Sequence, residues 1–213
     1  PYRRAIGVHP TPPAWDGGAD APQWSTGEVL HNEPWLDYNQ SQTAHTKWRN
    51  ELIPLVVSAD YARVPPKPIV VTEPWYEFLR GKPAPEDTRF GAWSAILSGA
   101  AGHTYGGGQT WWAHLPETPI DQGPWPLEKS FERSTLDYPG AVSIGYLARF
   151  LKSIRWWELE PHPELVSEYA ARYCSAVPGR EYVLYVRWGG AVVLDLRPSP
   201  EDSVFQYRWI DLA

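Results

Sequence analysis

The sequence predicts an α/β fold, because strand-like and helical patterns alternate over residues 1–157 and only strand-like segments follow over residues 158–213. In the first region the strands recur about every 30 residues with a helical pattern between them, which is typical of βαβ units in a parallel sheet. Four such units make half of a (β/α)8 TIM barrel. The second region predicts a partial antiparallel β-sandwich, since about four strands are too few for the roughly seven of a complete one.

Four segments are the predicted strands of the first region. The clearest is Pro68–Thr72, a β-branched run bounded by prolines, which is typical of a buried strand. The others are short runs that end on polar residues: Ala5–His9, Trp35–Asn39 and His103–Tyr105.

Apolar residues at helical spacing predict the helices between these strands. The pattern over residues 48–59 contains Pro54, so we expect two short helices with Pro54 in the first turn of the second. Further helices are predicted over residues 90–100 and after Asp137, where Pro139 occupies the first turn.

The second region predicts a β-hairpin and two more strands. Residues 181–188 alternate in polarity, Gly189-Gly190 is a two-residue turn, and residues 191–196 are expected to pair back. Strands are also predicted near residues 169–174 and over residues 205–210.

A doubly wound, nucleotide-binding sheet is the competing fold for the first region. No glycine-rich phosphate turn follows a predicted strand, because Gly106–Gly108 lacks the helix start that anion binding needs. We therefore favour the barrel.

Composition excludes several classes of protein. The 213 residues carry a formal net charge of −6 with no basic run, so a nucleic-acid partner is not expected. The single cysteine, Cys174, excludes an internal disulfide framework and a cysteine-based zinc cluster. The apolar segments are short and interrupted, so no membrane-spanning helix is expected.

The 13 tryptophans and 12 tyrosines suit surfaces that stack on flat, hydroxyl-rich ligands, so a carbohydrate is the expected partner. The sequence has no methionine and opens on a near-immediate strand, so we interpret both ends as cut and any targeting signal as out of view.

Glu73 is the predicted catalytic residue. In a (β/α)8 barrel the active site is formed by residues just past the carboxyl ends of the strands. Glu73 directly follows the Pro68–Thr72 strand, and Pro74 then stops the ladder. A carboxylate fixed there could attack an anomeric carbon or stabilise an oxocarbenium-like transition state.

The same rule gives candidate substrate-binding residues. Glu77 could orient the substrate or Glu73, or be a solvated helix residue, and Asp37 could bind a sugar hydroxyl or cap a loop. The imidazoles of His9, His45 and His103 lack the spacing of a metal motif, so we expect neither a metal nor another cofactor. The substrate-binding candidates are His9, Asp37, Asn39, Trp75, Tyr76, Glu77, His103, Tyr105 and Trp111.

Four segments resemble the apiosidase-like glycoside hydrolases, and they occur in the order found in that family. They are Trp35–His45, Lys67–Glu77, Gly99–Gly106 and Leu136–Ala141. The C-terminal hairpins also resemble the domain, labelled collagen-binding, that follows the barrel in that family.

The resemblance implies a barrel with two catalytic carboxylates, an acid/base after strand four and a nucleophile after strand seven. The strands seen here would be numbers five to eight, the C-terminal half, which puts Glu73 at the nucleophile position. The acid/base would then lie outside this chain, and the chain alone would be inactive. The implied activity is release of a terminal sugar, such as apiose, from plant pectic glycans by a secreted or periplasmic enzyme.

The alternative is a non-catalytic carbohydrate- or matrix-binding protein that binds through its C-terminal β region. An Asp or Glu at the end of a fourth barrel strand, upstream of residue 1, would decide for the enzyme.

Overall fold

A computed structural model of the chain describes residues 4–10, 24–43, 45, 47–79, 84–111, 133–167 and 173–212. The α-helices are α1 (Gly27–Leu30), α2 (Lys47–Asn50), α3 (Ile53–Tyr61), α4 (Pro85–Leu97), α5 (Gly108–Trp111) and α6 (Pro139–Lys152). The strands are β1 (Asn39–Gln42), β2 (Ile69–Glu73), β3 (Gly102–His103), β4 (Glu160–Pro161), β5 (Tyr173–Val177) and β6 (Glu181–Tyr185). Short 3-10 helices cover Arg133–Asp137, Trp156–Glu158 and Pro163–Leu165.

The first sheet is parallel, as predicted, with the strand order β1-β2-β3. Gln42 of β1 pairs with Glu73 at the end of β2, and Val71 of β2 pairs with His103 of β3. Helices α2 and α3 connect the first two strands and α4 connects the second pair, so these are βαβ units.

Prolines and one glycine fix where the connecting helices begin and end. Pro54 lies in the first turn of α3, which confirms two short helices before β2. Pro85 opens α4, where the Asp87 carboxylate accepts the Ala84 N–H at 3.2 Å. Gly99 follows α4 with a φ of +104°, a left-handed conformation that favours glycine.

The helices cover one face of the parallel sheet. Ile69 and Val71 of β2 are buried in a cluster with Ile53 and Val57 of α3 and with Ala95 of α4. Alternate side chains of β2 therefore point to the opposite face, away from these helices.

The second predicted strand is displaced toward the carboxyl end of the chain. We predicted a strand over Trp35–Asn39, whereas β1 begins at Asn39 and ends at Gln42. Its sequence Asn-Gln-Ser-Gln is polar and fully buried, so an apolar run could not reveal it. Ala5–His9 has no assigned strand, although the Asp37 N–H donates to the Ile6 carbonyl at 2.9 Å.

The segment after β3 also differs from the prediction. β3 covers Gly102–His103 rather than His103–Tyr105. A four-residue helix, α5, begins at Gly108, so the glycine run does precede a helix start, contrary to the prediction. The parallel sheet with α3 and α4 as crossovers is nevertheless the predicted α/β arrangement.

The second sheet is antiparallel with the order β4-β5-β6. The predicted hairpin between residues 181–188 and 191–196 is wrong, because β6 pairs with β5 from Glu181↔Val177 to Tyr185↔Tyr173. Leu194 instead forms an isolated bridge with Val166. Residues 205–210 are not a strand, so the described residues form three strands here and do not complete a sandwich.

This antiparallel sheet packs on the helices of the parallel one. Trp93 of α4 stacks on Tyr185 of β6 with ring centroids 5.7 Å apart and planes 10° apart. Both residues share a buried cluster with Leu147 of α6. Nearby, the Ser175 hydroxyl of β5 donates to the Leu97 carbonyl at 2.9 Å. A boundary near residue 157 stays a prediction.

Candidate active site

Glu73 lies at the carboxyl end of β2, where the sequence predicted it. Its carbonyl accepts the Thr43 N–H at 3.3 Å, which ties the end of β2 to the residue after β1. The side chain is 19% exposed, so solvent or a ligand can reach the carboxylate while the backbone remains fixed.

Three side chains surround the Glu73 carboxylate. His45 Nε2 lies 2.8 Å from Oε1, and His9 Nε2 lies 3.1 Å from Oε2. Gln42, the last residue of β1, hydrogen-bonds to the same carboxylate. Because an ionised carboxylate can only accept, each imidazole donates from Nε2.

These contacts keep Glu73 ionised. Burial alone would raise the pKa of Glu73, but hydrogen bonds from His45, His9 and Gln42 outweigh it and lower the pKa to about 2. In return, the hydrogen bond to Glu73 raises the pKa of His9 above 6.5 despite partial burial. At neutral pH the site is therefore an anion held by polar donors.

Tyr76 forms one wall of the site. Its ring lies 4.5 Å from the His45 ring, centroid to centroid, at an angle of 52°. A Cβ on Gly106 would lie 2.2 Å from the Tyr76 ring, so only glycine permits this approach. Burial, and then the charge of Glu73, raise the pKa of Tyr76 to about 12, so its hydroxyl stays protonated.

Asp37 anchors the segment that carries His9. Its Oδ2 accepts the Ile6 N–H at 2.8 Å, while the Ile6 carbonyl accepts the Asp37 N–H. This pairing matches the loop-capping alternative for Asp37, and His9 reaches Glu73 three residues further along.

Asn39 lies at the opposite end of the sheet from Glu73. It pairs with Ile69 at the start of β2, is fully buried, and hydrogen-bonds His31 Nδ1 through Nδ2 at 3.1 Å. Four residues of strand separate this level from Glu73, a rise of roughly 13 Å. Asn39 was selected on the expectation that a strand ends there, whereas β1 begins at this residue, so substrate binding by Asn39 stays a prediction that its position does not support.

Glu77 is a buried residue rather than a solvated helix residue. It is 0% exposed. Its Oε2 accepts the Tyr105 hydroxyl at 2.8 Å and its Oε1 accepts the Gly140 N–H at 2.9 Å. Gly140 lies in the first turn of α6, where the helix dipole favours an anion. Burial and Glu77 together raise the pKa of Tyr105, whose hydroxyl is committed to this contact.

Of two further candidates, Trp75 is buried and His103 is half-buried, with both of its ring nitrogens covered. Trp75 is 5% exposed and donates from Nε1 to the Leu79 carbonyl at 2.9 Å, so it packs inside rather than forming an open platform. His103 pairs with Val71, whose side chain packs on the helices. Burial lowers the pKa of His103 to about 4. The side chain of Trp111 lies outside the described residues.

Gln42 and His45 are the site residues that sequence reasoning did not select. Both stand in the Trp35–His45 segment, three residues apart. They were not selected because the strand was predicted to end at Asn39. β1 in fact ends at Gln42, and active-site residues of a barrel lie at and just past the carboxyl ends of its strands.

The arrangement suits reactions that need a permanent anion. A carboxylate with a pKa of about 2 cannot act as a general acid near neutral pH, but it can act as a nucleophile or stabilise developing positive charge. Among the described residues no cluster of His, Cys, Asp or Glu is arranged to hold a metal ion. No described helix is long and apolar enough to span a membrane.

Comparison with known proteins gives a family match for most of the chain. Residues 3–158 match the family described as "Apiosidase-like, catalytic domain". No curated protein sequence matches the chain.

Two solved structures share the fold. One is described as a glycoside hydrolase, with a TM-score of 0.60 and 20% identity over 71% of this chain and 39% of that one. The other is a glycoside hydrolase family 5 protein from Bacteroides vulgatus ATCC 8482, with a TM-score of 0.60 and 19% identity over 71% of this chain and 38% of that one. The present chain thus spans about two fifths of the length of these relatives.

Proposed function

Since the chain belongs to the apiosidase-like catalytic domain family, we propose that it supplies the nucleophile side of a glycoside hydrolase active site, with Glu73 as the nucleophile. The observation that carries this proposal is the position of the Glu73 carboxylate at the end of a parallel strand, where His45, His9 and Gln42 hold it. A retaining glycosidase needs such an anion on one side of the anomeric carbon.

The second carboxylate of the mechanism is proposed to come from outside this chain. Of the carboxylates near β2, Glu77 has both oxygens occupied and no exposure, so it cannot protonate a leaving group. In the complete site we expect the acid/base about 5–5.5 Å from Glu73 for retention, whereas about 6.5–9.5 Å would indicate inversion. The chain alone is then inactive.

The wider architecture follows from the same proposal. Residues 4–10, β1, β2 and β3 would be strands five to eight of a (β/α)8 barrel, and the antiparallel sheet would begin a second, β-sandwich domain. The covered share of the solved relatives, 39% and 38%, agrees with a part of such a barrel.

The proposed substrate is a plant cell-wall glycan with a terminal sugar, apiose or another, in a pectic context. The family supports this choice, and a secreted or periplasmic location would give access to such a polymer. Sugar specificity depends on the loops around the site, since one fold hosts many substrates.

The test is replacement of Glu73 in the intact enzyme. Glu73→Gln keeps the shape of the side chain but not its charge, so we expect hydrolysis of pectic oligosaccharides to be nearly abolished while binding persists. Glu73→Ala assayed with azide should regain turnover and form a glycosyl azide, because the small anion replaces the missing nucleophile. Glu86→Gln, an exposed carboxylate on α4, is the matched control.

Near-normal hydrolysis by Glu73→Gln would overturn the assignment. Binding of pectic fragments without hydrolysis by the unaltered protein would instead favour the non-catalytic carbohydrate-binding alternative.

A further inference from the structure

The guanidinium of Arg49 lies over two tryptophan rings. The guanidinium carbon of Arg49 is 4.9 Å from the centroid of the Trp48 ring and 5.3 Å from that of Trp24. The two rings meet edge to face, with centroids 6.2 Å apart and planes at 89°. The arrangement is a cation–π cluster that holds the arginine in place.

Backbone pairing connects this cluster to the Glu73 site. The Gln42 N–H donates to the Trp24 carbonyl at 3.0 Å, and the Gln42 side chain hydrogen-bonds to Glu73. Helix α2, which carries Trp48 and Arg49, begins two residues after His45. Trp24 is thus paired with one residue that contacts Glu73, and Trp48 and Arg49 follow another, His45, by three and four residues.

Arg49 has no carboxylate partner within ion-pair distance among the described residues, and its Nε is buried there without a hydrogen-bond acceptor. Arg187, whose Nε is likewise buried without an acceptor, differs from Arg49 in its ion pairs. It also lies over two aromatic rings, Phe90 at 3.7 Å and Trp188 at 4.5 Å, but it pairs with Glu51 at 2.7 Å and Asp87 at 3.2 Å.

The contrast separates a structural arginine from one that remains available. The carboxylates on Arg187 neutralise its charge within the fold, whereas the aromatic contacts of Arg49 leave its in-plane N–H donors free.

We propose that Trp24, Trp48 and Arg49 form a subsite for a carboxylate-bearing sugar next to the bond that is cleaved. The guanidinium fork matches a carboxylate in a bidentate geometry, and Trp48, which is 57% exposed, offers an indole face on which a sugar ring can stack. The inference rests on the proposed function of Glu73, because the carboxylate-bearing sugar, a uronic acid, is taken to be part of the substrate that Glu73 cleaves.

The experiment compares two ligands in the intact enzyme carrying Glu73→Gln, which prevents turnover. A galacturonate trisaccharide and its carboxyl-reduced counterpart are titrated calorimetrically. We expect the acidic ligand to bind about tenfold or more tightly, as one charge-assisted contact allows. Adding Arg49→Gln should remove this preference while leaving the affinity for the reduced ligand unchanged.

Two further variants test the parts of the subsite. Trp48→Ala should weaken both ligands, because it removes the stacking face. Arg208→Gln, an exposed arginine in the C-terminal segment, is the matched control and should keep the preference. An undiminished preference in Arg49→Gln would overturn the proposal, and so would equal affinity for a sulfated trisaccharide, since that would show recognition of charge alone.

The outcome is separable from that of the catalytic proposal. Loss of the preference in Arg49→Gln supports the subsite even if the unaltered protein hydrolyses nothing. If Arg49→Gln still prefers the acidic ligand, the subsite proposal is wrong even if Glu73→Gln abolishes turnover.

Discussion

Glu73 and Glu77 are four residues apart, yet their surroundings give them different uses. Glu73 accepts hydrogen bonds from two imidazoles and remains 19% exposed, whereas Glu77 is 0% exposed and binds Tyr105 and Gly140. One carboxylate keeps a face for a ligand, and the other joins three segments of the fold. Proximity in sequence to a strand end therefore does not by itself make a carboxylate part of the chemistry.

The largest expected effect separates the two residues by activity. Glu73→Gln in the intact enzyme should lower kcat by about 10⁴-fold, as loss of a nucleophile does elsewhere. The free energy of unfolding should change far less, because the side chain keeps its volume. Urea denaturation and steady-state kinetics of the same preparation check both statements.

The reverse pattern is expected at Glu77. Glu77→Ala leaves the Gly140 N–H and the Tyr105 hydroxyl buried without their acceptor, so the free energy of unfolding should fall by about 3–5 kcal/mol. Glu77→Gln should lose less, since the amide can still accept from Gly140. A Glu77→Ala protein with unchanged stability would refute the joining role.

A smaller loss of stability is expected from a substitution at Gly140, whose backbone lies close to Glu77. A Cβ on Gly140 would lie 2.3 Å from Glu77 Oε2, so Gly140→Ala should cost about 1–3 kcal/mol. Gly145→Ala on the same helix is the control: its Cβ would meet nothing closer than 3.5 Å, so the greater helix propensity of alanine should stabilise α6 slightly.

A double-mutant cycle sharpens the test. If the clash with Glu77 is the cause, Gly140→Ala should cost much less in a Glu77→Ala background. Additive effects in the cycle would mean that α6 is disturbed for another reason.

The smallest effect is the pH dependence of stability at Glu73. Because its pKa falls from 4.5 unfolded to about 2 folded, its contribution is complete above pH 4.5 and is lost as the pH falls toward 2. His9 has a raised pKa, so its contribution is complete below pH 6.5 and is lost as the pH rises through the folded value.

The stability difference between the unaltered protein and Glu73→Gln should therefore be greatest between pH 4.5 and 6.5. We expect it to be on the order of 1–2 kcal/mol, because water reaches the site and screens the pairs. Denaturation over pH 2–8 measures it, and a difference that is flat with pH would contradict the pairing.

Local sequence signals predicted the elements that obey local rules. The β-branched run before Glu73 and the prolines at residues 54 and 139 correctly predicted β2, α3 and α6. The polar strand β1 was not predicted, because its burial depends on hydrogen-bond partners that are distant in sequence. One example is the Thr26 hydroxyl, which accepts the Gln40 N–H. The error in β1 then moved the predicted site from Gln42 and His45 to Asn39.

Pairing partners were the other weak point. Alternating polarity over residues 181–188 correctly indicated a strand, but alternation carries no information about which neighbour completes the ladder. The turn at Gly179, with a φ of +80°, proved the stronger hairpin signal than Gly189-Gly190. The catalytic role of Glu73 itself stays a prediction.

The stacking of Trp93 on Tyr185 has a consequence for how the protein unfolds. A single buried cluster includes residues of α4, α6 and β6, so the antiparallel sheet shares its hydrophobic interior with these two helices. A second cluster, with Ile69 and Val71 of β2, also includes a residue of α4, Ala95. Opening the antiparallel sheet would expose the same aromatic faces that hold the crossover helix behind β2. Because α4 contributes to both clusters, we expect the two sheets to unfold as one cooperative unit.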